Sequence, residues 1–548
     1  MLRHLALLCP LALAVGPALA QTVHVRADLT TGANNGSTWA DAFQGADGLR
    51  AALAVATPGT EIWVAGGTYR AEPMPGSGFP LPGLGFTVTT QGLTLRGGFA
   101  GTETSIFERT DPERRPVVLS GDALGNDDGS AATLSDNAPT VLQVLGAGRF
   151  TMEYVQVADS LDVGFLAEDS NARVSRCVFT GCSGSGAIVR GSGPFSSTGP
   201  GGRLEDCRFE DNGLDGLFFG GSPGPGERVA LQRCVFENNG RHGLSTSGEE
   251  RNVFEVRNCV FHGNGQNGAI LPLFYDGGLD VDLFQCTVVG NGGVGILSPG
   301  PCGFCIFLPR CHGCLEWGNG PGASVPYLGG LTENSATAAG FTATDVFEDL
   351  AGGDLRPAAG SPAIDTDLIA PSAEPLLDVA RGRRTYDDPA VPGFDTDAGA
   401  FERTPFIGAY GGCSTSTNST GVPGRIDATG SLAAADNDLT LTASDLPPQQ
   451  FGIFVAGRRL DSAPLAGGSG TLCLGGGIGR FNTPGQILSS GPGGTFSLDV
   501  DLTQLPQPSA FVAAQPGETW LFQAWHRDFV PGVGSTNNLT DVVTLRIR

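Results

Sequence analysis

From Val174 to Gly295, apolar and polar positions return in the same order every 25 to 30 residues. An aliphatic residue (Val174, Leu204, Leu231, Val256, Leu283) stands three places before a cysteine (Cys177, Cys207, Cys234, Cys259, Cys286). Phe179, Phe209, Phe236, Phe261 or Val288 stands two places after it. Five places after come Cys182, Asn212, Asn239, Asn264 and Asn291, and nine places after come Gly186, Gly216, Gly243, Gly268 and Gly295. A degenerate copy at Cys314 keeps Asn319 and Gly320, and an earlier one lies near Tyr154.

Cys and Phe two apart share a strand face, so each column fills the interior of a solenoid whose coils lie roughly 4.8 Å apart. Each buried Phe contributes about 1.5 to 3 kcal/mol. The Asn column belongs at a turn, bonding to backbone or to the Asn above, and the glycines after it are expected to supply positive φ. The pattern predicts an all-β fold, a right-handed parallel β-helix with about three short strands per coil.

Leu204-x-x-Cys207-x-Phe209-x-x-Asn212 also fits a leucine-rich repeat, which requires an apolar residue two after the Asn and then a helical return. That position holds Leu214, Arg241, Gln266 and Gly293. The return segments, such as "GAILPLFYDGGLDVDL", carry β-type residues broken by Gly and Pro.

The first twenty residues have Arg3, the apolar run "LALLCPLALAVG" and "ALA", the layout of a cleaved signal peptide over 1–20. Residues 21–149 read as an N-terminal cap and first coils. In "WADAFQGADGLRAALAVA", Phe43, Leu49, Leu53 and Val55 have helical spacing, which predicts an amphipathic capping helix. Repeats and a closing segment fill 150–410. The polar stretch 411–424 reads as a linker, and 425–548 as a small β-sandwich with runs such as "DLTLTASDLP" and "TWLFQAWHRD".

"GANNGSTWADAF", "EIWVAGGTY", "LTLRGGFAGTET", "LSGD" and "GSPAID...DAGAFE" resemble the pectate-lyase-like β-helix proteins of exported bacterial polypeptides, of the kind called choice-of-anchor Q, over about residues 22–410. The resemblance implies the β-helix fold and export. The C-terminal segment resembles a β-sandwich module appended to varied secreted bacterial proteins.

The formal charge is −24, and all 32 basic residues are arginine. Such an acidic surface excludes nucleic acid as a partner. Glycine reaches 85 residues and proline 37, but 40% hydrophobic content indicates a folded, turn-rich chain. No other long apolar run follows the first segment, so the expected location is extracellular or cell-surface, without a membrane span. Oligomeric state is left open.

In register, Glu210, Glu237 and His262 should form one outward column, and Asp215, His242 and Asn267 another. Stacked carboxylates can work as an acid and base pair or hold a cation, and the same columns also suit a solvated face. Lysine-base lyases are excluded by composition. The Gly-His-Gly and Arg-x-Lys signatures of polygalacturonase-like glycosidases are absent, leaving only Arg241-His242-Gly243 and Cys311-His312-Gly313. An arginine-base, calcium-assisted lyase could draw on Arg190, Arg208, Arg233, Arg241 or Arg257.

Asp122, Asn126, Asp127 and Asp128 are oxygen donors suited to Ca²⁺ but lack EF-hand spacing. No other cofactor is expected. Cys302, Cys305, Cys311 and Cys314 with His312 form a zinc-like pattern, which export turns toward a disulfide-pinned loop. Cys413 and Cys473, outside the solenoid, should pair with each other. The function expected is non-catalytic binding of a polysaccharide, cell-surface glycan or other cell-surface partner; the alternative is a polysaccharide lyase or glycoside hydrolase.

Overall fold

The computed structural model describes residues 21–548 apart from 74–82, 129–132, 192–201, 221–227, 248–252, 272–279, 299–309, 323–326, 329, 367–376, 385, 387–395, 412, 414 and 531–533. The signal segment 1–20, Cys302 and Cys305 lie outside the described residues.

The repeat folds as a right-handed parallel β-helix with three strands per coil. One coil runs through Gly202–Glu205, Arg208–Glu210 and Leu217–Gly220, and the next through Arg228–Gln232, Val235–Glu237 and Leu244–Ser247. Each strand pairs in parallel with its counterpart one coil on. One sheet contains ten strands, one per coil, from Gly67–Arg70 to Leu331–Thr332.

The columns read from the sequence are present. Phe179, Phe209, Phe236 and Phe261 stack with ring centroids 4.8 to 4.9 Å apart and nearly parallel planes. The ladder cysteines are buried beside them. Burial pushes the Cys182 thiol up to about 11 and Cys177 up to about 12, so these thiols act as small apolar filler.

Asn212 donates its Nδ2 to Asn239 Oδ1 (2.9 Å), Asn239 to Asn264 (2.9 Å), Asn264 to Asn291 (2.8 Å) and Asn291 to Asn319 (2.8 Å). The second Nδ2 hydrogen of each reaches a backbone carbonyl; for Asn239 it is Phe209 O, at 2.9 Å.

The glycines after the Asn ladder serve a different purpose from the one expected. Left-handed backbone falls one residue before the cysteine, at Arg176, Asp206, Arg233, Asn258 and Gln285 (φ 50 to 56°). It recurs one residue before the Asn, at Asp211, Asn238, Gly263 and Gly290 (φ 54 to 65°). These are the corners between strands. Gly213, Gly240, Gly265 and Gly292 are needed for close approach, because a Cβ there would sit 2.1 to 2.3 Å from a carbonyl oxygen of the preceding coil.

The N-terminal helix is shorter than its apolar spacing suggested. Gly48–Val55 is helical and buries Leu49 and Ala52 over the first coil. Phe43 instead belongs to the strand Phe43–Gln44, paired with Val25 and Arg26, and Trp39–Asp41 is a single 3₁₀ turn. Gly45, at φ 72°, separates the strand from the helix.

Cys314 stands in the ladder as the repeat predicts, and Cys311, expected in a pinned loop, lies in the solenoid interior as well. Cys311 pairs in register with Leu283 and takes the aliphatic position of the repeat, with Cys314 as its ladder cysteine. His312 stacks on Phe284 at 4.9 Å.

Beyond the last coil, Val346, Phe347, Leu355 and Ala398 pack over Val289, Leu315 and Trp317 on the outer face of the ten-stranded sheet.

The C-terminal unit packs the antiparallel strands Arg425–Gly430, Leu439–Ser444 and Phe496–Val500 against a sheet built round Phe451–Gly457 and Thr519–Val530. Ile426, Leu441, Phe454, Trp520 and Phe522 fill its core. In the polar stretch before this unit, Asn418 is buried and donates to Asp445 O (2.7 Å), and Ser419 N donates to Asp528 Oδ1 (3.1 Å). The Asn418 side chain thus satisfies a backbone carbonyl of the sandwich, and the Ser419 backbone N–H a carboxylate.

Polar contacts join the two units, including Thr519 Oγ1 to Asp111 Oδ1 (2.6 Å) and Arg383 to Asp427 and Asp541. Among the described residues, no helix is long and apolar enough to cross a membrane.

Candidate functional site

The first predicted column is real and faces outward. Parallel pairing puts Glu210 against Glu237 and Glu237 against His262 on strands Arg208–Glu210, Val235–Glu237 and Val260–His262. Their side chains are 21 to 28% exposed. Val289 continues the column and is buried under the closing segment, so the polar row ends at an apolar wall.

Arg208, considered from the sequence only as a base, organises the row. Its Nε donates to Glu210 Oε2 (2.8 Å) and its Nη2 to Glu237 Oε2 (3.0 Å). The signal was available, since Arg208 and Glu210 are two apart on one strand and share a face. On the other Glu237 oxygen, His262 Nδ1 lies at 3.1 Å. The hydrogen bond to His262, with the Arg208 charge behind it, holds the Glu237 carboxyl below the usual range.

The second column is in register but turned inward. Asp215 is fully buried and His242 and Asn267 nearly so. Asp215 Oδ1 accepts from Arg241 Nε (2.7 Å) and His242 N (3.2 Å), and His242 Nδ1 accepts from Asn267 N (3.3 Å). Strand alternation does not extend to these residues, which occupy the turn between two sheets and bond to the next coil. Burial lowers the His242 ring's pKa.

The arginines weighed as bases all contact carboxylates: Arg190 meets Glu168, Arg233 meets Glu205 and Asp206, Arg241 meets Asp215, and Arg257 meets Glu255.

Three of the oxygen donors expected for calcium, Asp122, Asp127 and Asp128, are engaged by protein groups. Asp122 Oδ1 accepts from Gly125 N (2.6 Å) and Asn126 N (3.2 Å), and Oδ2 pairs with Arg70 (3.2 Å). Asp127 accepts from Asn137 Nδ2 (2.8 Å) and Asp128 from the Thr133 hydroxyl (2.8 Å). Among the described residues, no group of three or more His, Cys, Asp or Glu side chains is arranged to hold a metal ion.

A cavity of about 410 Å³ lies apart from the columns, lined by Arg26, Asp28, Gly66, Phe99, Arg114 and Arg115 among others. Arg26 is tied to Asp28, Arg114 to Gly517 O and Arg115 to Thr110 O.

A family model described as "Right handed beta helix region" matches residues 126–273. No curated protein sequence matches the chain. Among solved structures, the chain is similar to pectate lyase Pel9A, with 15% identity over 71% of this chain and 97% of that one and a TM-score of 0.41. The A-module of mannuronan C-5 epimerase AlgE4 from Azotobacter vinelandii gives 16% identity over 47% and 68%, with a TM-score of 0.26. The tailspike gp49 of Acinetobacter baumannii bacteriophage Fri1, a capsular polysaccharide depolymerase, gives 12% over 89% and 79%, with a TM-score of 0.28.

Proposed function

We propose that this is an exported, non-catalytic β-helix protein that binds glycans or glycan-bearing surface partners along the outer face of its ten-stranded sheet. The observation that carries the reading is Arg208 bridging Glu210 and Glu237 while His262 holds Glu237 from the next coil. Cleavage of a glycosidic bond by a carboxyl pair needs one acid kept protonated by an environment that raises its pKa. Glu237, held below the usual carboxylate range by His262 and Arg208, does not supply that acid. A β-elimination needs a free base, and each arginine considered for it is already engaged by a carboxylate. A row of paired Arg, Glu and His edges instead presents donors and acceptors at fixed spacing, suited to sugar hydroxyls.

The second reading is a polysaccharide lyase or hydrolase, and the contact between Glu237 and His262 is what favours it. A panel of acidic and neutral polysaccharides, with and without calcium, separates the two. The binding reading expects retention on one class without product formation, and weaker retention for Glu237→Gln/His262→Gln. Unsaturated or new reducing ends that this double variant abolishes would establish the enzyme instead.

A further inference from the structure

The sandwich carries an exposed face that combines large apolar side chains with two arginines. Along Phe451–Gly457 and Thr519–Val530, even-numbered residues such as Phe454, Phe522, Ala524 and His526 are buried in the sandwich core. Odd-numbered residues face the other way. The part of that outer face bearing Val455, Leu521 and Leu539 is packed against Leu460, Cys473 and Leu474 of the hairpin Arg459–Pro464 and Thr471–Gly475. Ile453 and Trp525 lie half-buried at its border, and beyond them the face is open.

Strand register maps the open part. Ile453 pairs with Trp525, and Phe451 pairs with Ser489, which sets Ile487 opposite Ile453. Gly452 pairs with His526, which sets Phe451 opposite Arg527, and Phe529 follows two residues along. Phe451 is 57% exposed, Ile487 60% and Phe529 55%.

Two cations share this face. Arg480 pairs in register with Val455, so it stands on the outer side, and Arg527 lies opposite Phe451. Both are exposed, and among the described residues neither has a carboxylate within 4.0 Å. Most other arginines described above are neutralised by a carboxylate. A local charge of two unpaired arginines in a chain of net −24 is a place where an anion is favoured.

We propose that this face binds a carboxylate-bearing polysaccharide, a chain of uronate sugars. A uronate ring has a flat CH face that covers Phe451, Ile487 or Phe529, and a carboxylate that takes a guanidinium in bidentate geometry. Val455 and Phe451 are four residues apart, about 13 Å along the strand, so Arg480 and Arg527 meet carboxylates on different sugar units. A second copy of the chain fits poorly. The three exposed side chains offer about 300 Å², within the range of a small functional patch but well short of the roughly 800 Å² per partner of a stable interface. The proposal does not rest on the Glu210, Glu237 and His262 row.

The test is affinity electrophoresis of the full chain in gels containing polygalacturonate, alginate or a neutral glucan. Retardation by at least one polyuronate and not by the glucan is expected. Arg480→Gln/Arg527→Gln and Phe451→Ala/Phe529→Ala should each weaken it by about ten-fold or more. Arg173→Gln, which removes an exposed arginine of the β-helix, should leave it unchanged, which separates this site from a general effect of charge. Unchanged melting of each variant confirms that folding is intact, as expected for exposed positions. Wild-type migration unaffected by both polyuronates overturns the proposal, as does equal retardation of the variants. A sedimenting dimer that Phe451→Ala/Phe529→Ala dissociates overturns it in favour of self-association.

Discussion

His262 Nδ1 lies 3.1 Å from Glu237 Oε1, one coil along, while Arg208 Nη2 reaches the other oxygen of the same carboxylate. Because these partners depress the Glu237 pKa, its contribution to stability is full above the unfolded glutamate value and is lost as pH falls through the lower folded value. The pair is partly exposed, so water screens it. Glu237→Gln should lower Tm by less than about 2 °C near neutral pH, and the difference should close on acidification below about pH 4. A pH series of thermal melts measures this; a gap that widens on acidification would refute it.

Removing Asp215 should cost far more. It is fully buried and accepts from Arg241 and from the His242 backbone N–H. Asp215→Ala leaves those donors without their acceptor and should cost about 2 to 4 kcal/mol. Urea unfolding of Asp215→Ala beside Glu237→Gln measures the contrast. Equal, small losses would mean that Asp215 is solvated after all.

The contrast shows what the sequence could disclose. Glu210, Glu237 and His262 were legible because they lie in strands, where a period of two fixes the face. Asp215 and His242 have equally regular spacing but lie in a turn, where spacing gives register without direction. Cys311 was hidden by its neighbours, since Cys302 and Cys305 suggested a loop motif and no earlier coil has cysteine at the aliphatic position. The glycines after the Asn ladder showed their importance, not its cause, because contact with the adjacent coil's carbonyl is a property of the stack.

The ladder itself gives a sharper test. Asn239 accepts from Asn212, and donates to Asn264 and to Phe209 O. Asn239→Ala removes all three bonds inside the core and should cost about 3 kcal/mol or more. Asn239→Asp keeps the acceptor but points a carboxylate at two oxygens, so near neutral pH it should be the more damaging change and should recover partly in acid. Denaturant unfolding at both pH values checks the order of the two variants.

Cys413 and Cys473 have Cα atoms 5.9 Å apart, within bridging range. A bond between them closes a loop of 60 residues, for which chain entropy gives about 4 kcal/mol. Cys413→Ser/Cys473→Ser should destabilise the sandwich by up to that amount and leave the β-helix transition in place. Non-reducing peptide mapping that finds either thiol unpaired, or joined to Cys302 or Cys305, would rule the bond out.

The closing segment should respond to pH in the opposite sense from Glu237. Asp378 is buried, with Oδ1 accepting from Gly382 N (2.6 Å) and Oδ2 from Glu402 N (3.2 Å). Burial pushes its carboxyl up to about 6 despite these bonds and the nearby Arg384 charge. The folded value lies above the unfolded one, so the folded state holds the proton more tightly between them. The stability this supplies is complete below about pH 4 and is lost as pH rises through about 6. Asp378→Asn does not titrate, while Glu402 and Asp397, also raised by burial, remain in both proteins. The stability of wild type relative to Asp378→Asn should therefore be greater at about pH 5 than at about pH 7.5, by roughly 1 to 2 kcal/mol. Urea unfolding of both proteins at the two pH values measures that difference, and a wild-type advantage that is flat or grows toward high pH would show that Asp378 is ionised in the fold at no cost.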